Sequence, residues 1–191
     1  MLRRATLTAV SLLALVGAAA CSPGGSTTPP SSSSDEPAAS ASAAPKVENP
    51  KNLKTITNAC QLLTTDQLAQ LGATGSQAPE QSTSQYGESQ CHFQSEPFSA
   101  YVAINTKFGG LERLTQDASS SDNFKPTQVD GYQGARIDEQ SDLCKVELAI
   151  ADDQSVEINY FKNSGGTPEM DDPCGYAEKI SSEVLKNIPD A

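Results

Sequence analysis

The sequence predicts an α+β fold: one domain in which a twisted antiparallel sheet is packed by an N-terminal and a C-terminal helix and stapled by two disulfides. Three observations carry this. Period-2 apolar alternation recurs in several runs beyond residue 97, as expected of half-buried strands. Helical periodicity with capping signals stands near both ends of the stretch 53–191. Four cysteines fall inside it. The order helix, two strands, helix, four strands, helix segregates helices from strands instead of alternating them, which selects an antiparallel sheet with helices laid on it.

Globular character begins at about Leu53 and is expected over 53–191. Thr64 caps the first helix, with Gln67 three residues later and Leu63 and Leu68 placed to staple across the cap. Leu68 and Leu71 face inward and Gly72 ends the helix. Residues 73–89 are polar and are expected as a loop. A strand starts around Cys91 and His92, and in FSAYVAIN the residues Phe98, Ala100, Val102 and Ile104 share one face. A short helix is expected at Leu111–Thr115, then a strand from Pro126 to Val129, a tight turn at Asp130-Gly131, and a partner strand from Tyr132 to Ile137.

The clearest pair follows. Cys144, Val146, Leu148 and Ile150 fall on one face, then Val156, Ile158 and Tyr160 on one face of the next strand, with Asp152-Asp153-Gln154 between them. A final amphipathic helix is capped by Asp172 and started by Pro173, and aligns Ala177, Ile180, Val184 and Ile188.

Cys60, Cys91, Cys144 and Cys174 admit three disulfide pairings. Cys144 shares the inward face with Val146, and Cys174 shares the inward face of the last helix with Ala177. A strand and a helix packed face to face bring these two together. Cys60–Cys91 then follows by elimination. Each bond closes a loop of about 30 residues, worth roughly 3.5 kcal/mol on the chain-entropy account. No Cys-x-x-Cys spacing occurs and His92 is the only histidine, so neither a zinc pattern nor a redox dithiol is present.

The fifth cysteine, Cys21, stands apart. Arg3 and Arg4 precede an apolar stretch from Leu7 to Val16, and Gly17 to Ala20 are small residues ahead of Cys21. These are the parts of a secretory signal peptide, expected over 1–20. The apolar stretch is shorter than the roughly 20 residues that span a bilayer. Ala19-Ala20-Cys21 fits a lipobox, with Ala18 where leucine is commoner, so Cys21 is the expected site of acyl attachment. One acyl chain holds a protein only weakly, at about 0.8 kcal/mol per methylene, whereas several chains on one cysteine make a durable anchor. Residues 21–52 are then a lipidated cysteine and a tether. Between 22 and 45 only Asp35 and Glu36 depart from Ser, Thr, Pro, Gly and Ala, a composition that cannot offset its ordering entropy. The expected location is the extracytoplasmic face of the cell membrane, where disulfides persist.

Net charge is −11 and becomes −13 once residues 1–20, with their two arginines, are removed. Such acidity excludes nucleic acid as a partner, since phosphates call for a basic surface. No catalytic residue emerges. His92 has no nucleophile or orienting acid at a recognisable spacing, and a Gly-x-Ser-x-Gly elbow is missing. Gly109-Gly110 lacks the lysine of a phosphate loop. Glu169, Asp171 and Asp172 lack the spacing of a calcium loop, and helix capping accounts for Asp172. Tyr86, Tyr101, Tyr132, Tyr160 and Tyr176 are a candidate cleft lining, although strand tyrosines usually pack. No metal or cofactor is expected.

The sequence resembles the actinobacterial lipoproteins that carry domain of unknown function 3558 (DUF3558). The resemblance rests on the lipobox, the Ser/Pro-rich tether, Cys60-Gln-Leu-Leu-Thr opening a helix, and a Cys-x-aromatic at Cys91–Phe93. Val129–Ala135 is similar to a Val-x-Gly-x-x-Ala element, and Cys144-Lys-Val and Asp172-Pro-Cys174 complete the series. Phe93 stands where many members are expected to have tryptophan. The resemblance implies a cell-envelope location and no established activity, so it transfers no functional residues. The expectation is a non-catalytic envelope protein, held to the membrane at Cys21, that binds an envelope protein or a small ligand. An envelope hydrolase with an unfamiliar site, or a carrier of an apolar ligand, is the alternative.

Overall fold

The structure, a computed structural model, describes residues 46–120 and 122–191. The expected signal peptide, Cys21 and the tether as far as Pro45 lie outside the described residues. The elements in chain order are α1 (Thr65–Gln70), β1 (Glu80–Thr83), β2 (Ser89–Gln94), β3 (Phe98–Asn105), α2 (Leu111–Ser120), β4 (Phe124–Val129), β5 (Tyr132–Ile137), β6 (Leu143–Ala151), β7 (Gln154–Lys162) and α3 (Pro173–Leu185). Short 3-10 turns add Leu53–Thr55, Ala59–Leu62 and Pro168–Asp171.

All seven strands join one antiparallel sheet in the order β1-β2-β3-β7-β6-β5-β4. It is built from two meanders. The chain leaves β3 through α2, crosses the sheet and enters at the far edge with β4, so the second meander returns to pair β7 with β3. The predicted α+β class, the sheet and both disulfides are all present.

The inner face holds the main core. Cys91, Val102, Ile158 and Val146 form one cross-strand row, and Ile104, Val156 and Leu148 another, under the buried α3 residues Ala177, Ile180 and Val184. α3 starts as expected, with the Asp172 carboxylate accepting from Gly175 N–H at 3.0 Å and Pro173 at the first position. α1 starts with a capping box between Thr64 and Gln67, its backbone and side-chain bonds both formed. Arg136 of β5 clamps Glu178 of α3 through two parallel bonds of 2.6 and 2.7 Å. Burial pushes the Glu178 carboxyl up, but the Arg136 fork outweighs it and holds the acid below its ordinary range. At the Asp130-Gly131 turn both residues have positive φ, 49° and 91°, which a two-residue hairpin of this hand requires.

The structure departs from expectation in four places. β1 lies inside 73–89: its sequence Glu-Gln-Ser-Thr is exposed throughout, so an edge strand held only by β2 leaves no apolar alternation to read. α2 continues to Ser120, beyond Thr115, because its exposed face is polar and only Leu111 and Leu114 are buried. β4 begins at Phe124, and Pro126 is accommodated because β4 is an edge. The chain joins the domain ahead of Leu53: Val47 N–H donates to Asp152 Oδ1 at 2.9 Å, Lys51 N–H to Ile150 O and Asn52 N–H to Pro189 O, both at 2.8 Å.

Candidate functional site

Because side chains alternate across a strand, the register that builds the core also dictates the opposite face of the sheet. One outer row runs Glu80, His92, Tyr101, Asn159, Lys145, Ile137, Phe124; the next runs Ser82, Gln90, Ala103, Glu157, Glu147, Ala135, Pro126. α2 covers one end of these rows, packing Leu111 and Leu114 on Ala135, Ile137 and Ala149. The other end, over β1, β2, β3 and β7, carries no helix among the described residues. Tyr101, His92 and Phe161 lie there. The His92 and Tyr101 rings stack in parallel, 4.2 Å apart, and Phe161 meets Tyr101 edge-on at 6.0 Å. Phe161 remains 37% exposed.

Between the covered and open halves lies a buried polar cluster. Glu147 of β6 and Glu157 of β7 are directly opposite each other and only 8% and 4% exposed. Ser155 donates to Glu147 at 2.6 Å. The Tyr86 hydroxyl, from the turn joining β1 to β2, donates to Glu157 at 2.6 Å, and Asn159 donates to its other oxygen at 3.1 Å. Lys145 is the nearest cation to Glu157, at 3.8 Å. Burial first, and the neighbouring Glu157 charge among other influences, push the Glu147 carboxyl above its ordinary range. The Tyr86 hydroxyl is likewise pushed up, by burial and then by the charges of both glutamates. Both carboxyls accept from protein donors, and Glu157 binds the turn down onto the sheet through Tyr86.

Sequence reasoning missed this pair, and a signal for it existed. KVELAI and SVEINY each hold a glutamate between two inward aliphatics, so a hairpin pairing them sets two acids opposite one another on the outer face.

The singled-out residues fall in separate places. His92 sits within β2, not at its start, with its Nδ1 4.0 Å from Glu80 Oε2 and its ring against Tyr101. Tyr160 and Tyr176 pack with Phe98 in the core at centroid distances of 5.1 to 5.8 Å. Burial pushes the Tyr176 hydroxyl up to about 12. Tyr132 is buried and donates to Asn49 O at 2.8 Å, and Tyr86 and Tyr101 lie on the outer face. The five tyrosines therefore line no common cleft. Glu169 and Asp171 pair with Lys179 and Lys162, and Asp172 caps α3. No group of three or more His, Cys, Asp or Glu side chains among the described residues is placed to hold a metal ion. Cys60 is bonded to Cys91 and Cys144 to Cys174, the pairing expected.

Two hollows lie away from the open face. One, about 330 Å³, is enclosed by residues 46–49 and the β4–β5 turn, with Gln128, Asp130 and Tyr132 in its wall. The other, about 450 Å³, is a groove between Gly72, Pro168, Tyr176 and Lys179. No helix among the described residues is long and apolar enough to cross a membrane. No curated protein and no solved structure matches the chain. The family described as protein of unknown function, DUF3558, matches residues 16–187, nearly the whole length and every element of the sheet, and the chain belongs to that family.

Proposed function

We propose that the chain is an extracytoplasmic lipoprotein, anchored through acyl chains on Cys21, whose domain is a non-catalytic binding module. The occupant we assign to the open half of the outer sheet face is an envelope protein with a basic surface. The carrying observation is the composition of that half-face: His92, Tyr101 and Phe161 lie on the part of the outer face that no helix among the described residues covers, while the inner face holds the main core. Aromatic side chains ringed by polar groups are what protein interfaces use as anchors. The charge of −13 after removal of residues 1–20 favours a basic partner and speeds encounter with it. The non-catalytic reading is supported by His92 stacking on a tyrosine and by Glu157 serving to fasten the Tyr86 turn.

The test uses full-length protein in its envelope, carrying a photo-crosslinking residue at position 161 or, as control, at position 186 on the helical side. The reading expects one envelope protein to be captured from position 161 and not from 186. The double variant Tyr101→Ser, Phe161→Ser should lose that protein while keeping both disulfides. Equal capture from both positions, or a double variant that still retains the partner, would refute it.

A further inference from the structure

Phe108 is the most exposed large apolar side chain among the described residues, at 63%. A single exposed aromatic is common on protein surfaces and by itself means nothing. The way this one is held is different. The Glu88 carboxylate accepts from Thr106 N–H and Thr106 hydroxyl, both at 2.7 Å, and from Lys107 N–H at 3.2 Å. Asn105 Oδ1 accepts from Phe108 N–H at 3.0 Å. Two glycines then press the loop onto the β6–β7 end of the sheet. A Cβ at Gly109 would lie 2.4 Å from Ser155 Oγ, and one at Gly110 would lie 2.1 Å from Asp152 O, with φ at +104° besides. The backbone on both sides of Phe108 is therefore held while its side chain stays exposed. A loop backbone ordered in advance loses less entropy when the side chain it carries is buried against something else.

The position of the loop says against what. Asp152 touches Gly110 through its carbonyl and accepts the Val47 N–H through its carboxylate. Val47 also packs against the small apolar cluster that includes Leu111, which follows Gly110 directly. Phe108 is thus displayed at the end of the domain where the chain arrives from residues 22–45. These 24 residues are of linker composition, whose mean reach is about 25–30 Å. On the lipid-anchor reading, a tether of that reach allows this end of the domain to touch the bilayer. The exposed cations Lys46 and Lys107 stand at this end among the acids Glu48, Glu88 and Asp152, with the Lys54–Asp153 pair.

We infer that the loop 105–110 is a membrane-contact element, with Phe108 seated in the interfacial region of the same bilayer that holds the acylated Cys21. The inference rests on the lipid-anchor reading. It leaves the open sheet face, on the β2–β3–β7 side, turned toward the aqueous space where a partner is met.

The chain contains no tryptophan, so Phe108→Trp introduces a unique fluorophore at the site and Phe161→Trp a unique one on the sheet face. Each full-length, processed protein is reconstituted into phosphatidylethanolamine/phosphatidylglycerol vesicles with and without brominated phosphatidylcholine. The expected result is a blue-shifted emission from position 108, quenched at least twofold by the bromolipid, and an unquenched emission from position 161. Protein that floats with the vesicles but shows equal, weak quenching at both positions overturns the membrane-contact inference and leaves the anchor standing. Emission from position 108 that shifts only in native envelopes, and not in protein-free vesicles, overturns it in favour of a protein partner. Protein that fails to float and migrates as the unacylated form overturns the anchor reading and the inference with it.

Discussion

Glu147→Gln tests the electrostatic account of the buried cluster. In the folded protein the Glu147 carboxyl faces Glu157 and Ser155 on β7, Asn105 at the end of β3, Asp117 on α2 and the Tyr86 hydroxyl of the β1–β2 turn. Burial and like charge disfavour its ionised form, so its folded pKa lies above its unfolded one. A group shifted in this direction contributes stability that is fully present below the unfolded pKa, near 4.3. That contribution is lost as pH rises through the folded pKa. Glutamine cannot ionise, so it does not suffer the loss. It does replace one accepting oxygen with a donor, which costs about 1 kcal/mol at every pH. The sign of the stability difference at one pH therefore decides nothing, and its slope decides everything. Like charges directly opposite on paired strands cost up to about 1 kcal/mol. On that basis the variant should gain on wild type by about 1 kcal/mol between pH 4 and pH 8. For a domain of this size that is a relative rise in Tm of about 3–5 °C. Thermal and urea unfolding of both proteins across this range measure it. Carboxyls held low, such as Glu178, lose their contribution as pH falls, but they do so equally in both proteins and cancel in the difference. A difference that stays constant with pH, or moves in favour of wild type as pH rises, would refute the account.

Two further outcomes follow from the cysteines. Replacing Cys144 and Cys174 together by alanine releases a cross-link between β6 and α3 with a sequence separation of 30, and should lower unfolding stability by about 3.5 kcal/mol; a loss under 1 kcal/mol in guanidinium titration would contradict the loop-entropy account. Cys21→Ala should leave the domain folded but release it into the medium or stall its processing, and fractionation that finds the variant as firmly membrane-bound as wild type would contradict the lipid anchor.

What was legible in the sequence follows the physics of burial. Val146, Leu148, Val156 and Ile158 announce their strands because one face of each is packed and the alternation is sharp. The Cys144–Cys174 bond was legible for the same reason, since each cysteine sits in line with apolar neighbours that must face the core. β1 was illegible because an exposed edge strand is defined by its hydrogen bonds alone, and Glu80–Thr83 leaves no pattern of side chains. Glu147 and Glu157 were illegible for the opposite reason. Outward positions on a strand are read as solvated, yet here a turn 60 to 70 residues earlier in the chain covers them through Tyr86. Phe108 gave no local signal either, because its setting depends on Glu88 and Asp152, which are distant in sequence.

The two faces of the sheet divide the work of the domain in a way that makes its function separable from its stability. Cys91 and Cys144, which anchor the two disulfides in the sheet, lie on the inner face with Val102, Ile158 and α3. Tyr101 and Phe161 on the open face lean on each other and on His92, outside both apolar clusters. Truncating them removes little buried surface, so stability should change by under about 1 kcal/mol, the range of exposed sites away from cores, caps and networks. Glu157 and Glu147 opposite it are the exception, because Glu157 joins the turn carrying Tyr86 to the sheet. A change in that pair should therefore disturb stability, whereas a change at Tyr101 or Phe161 should disturb the proposed binding alone.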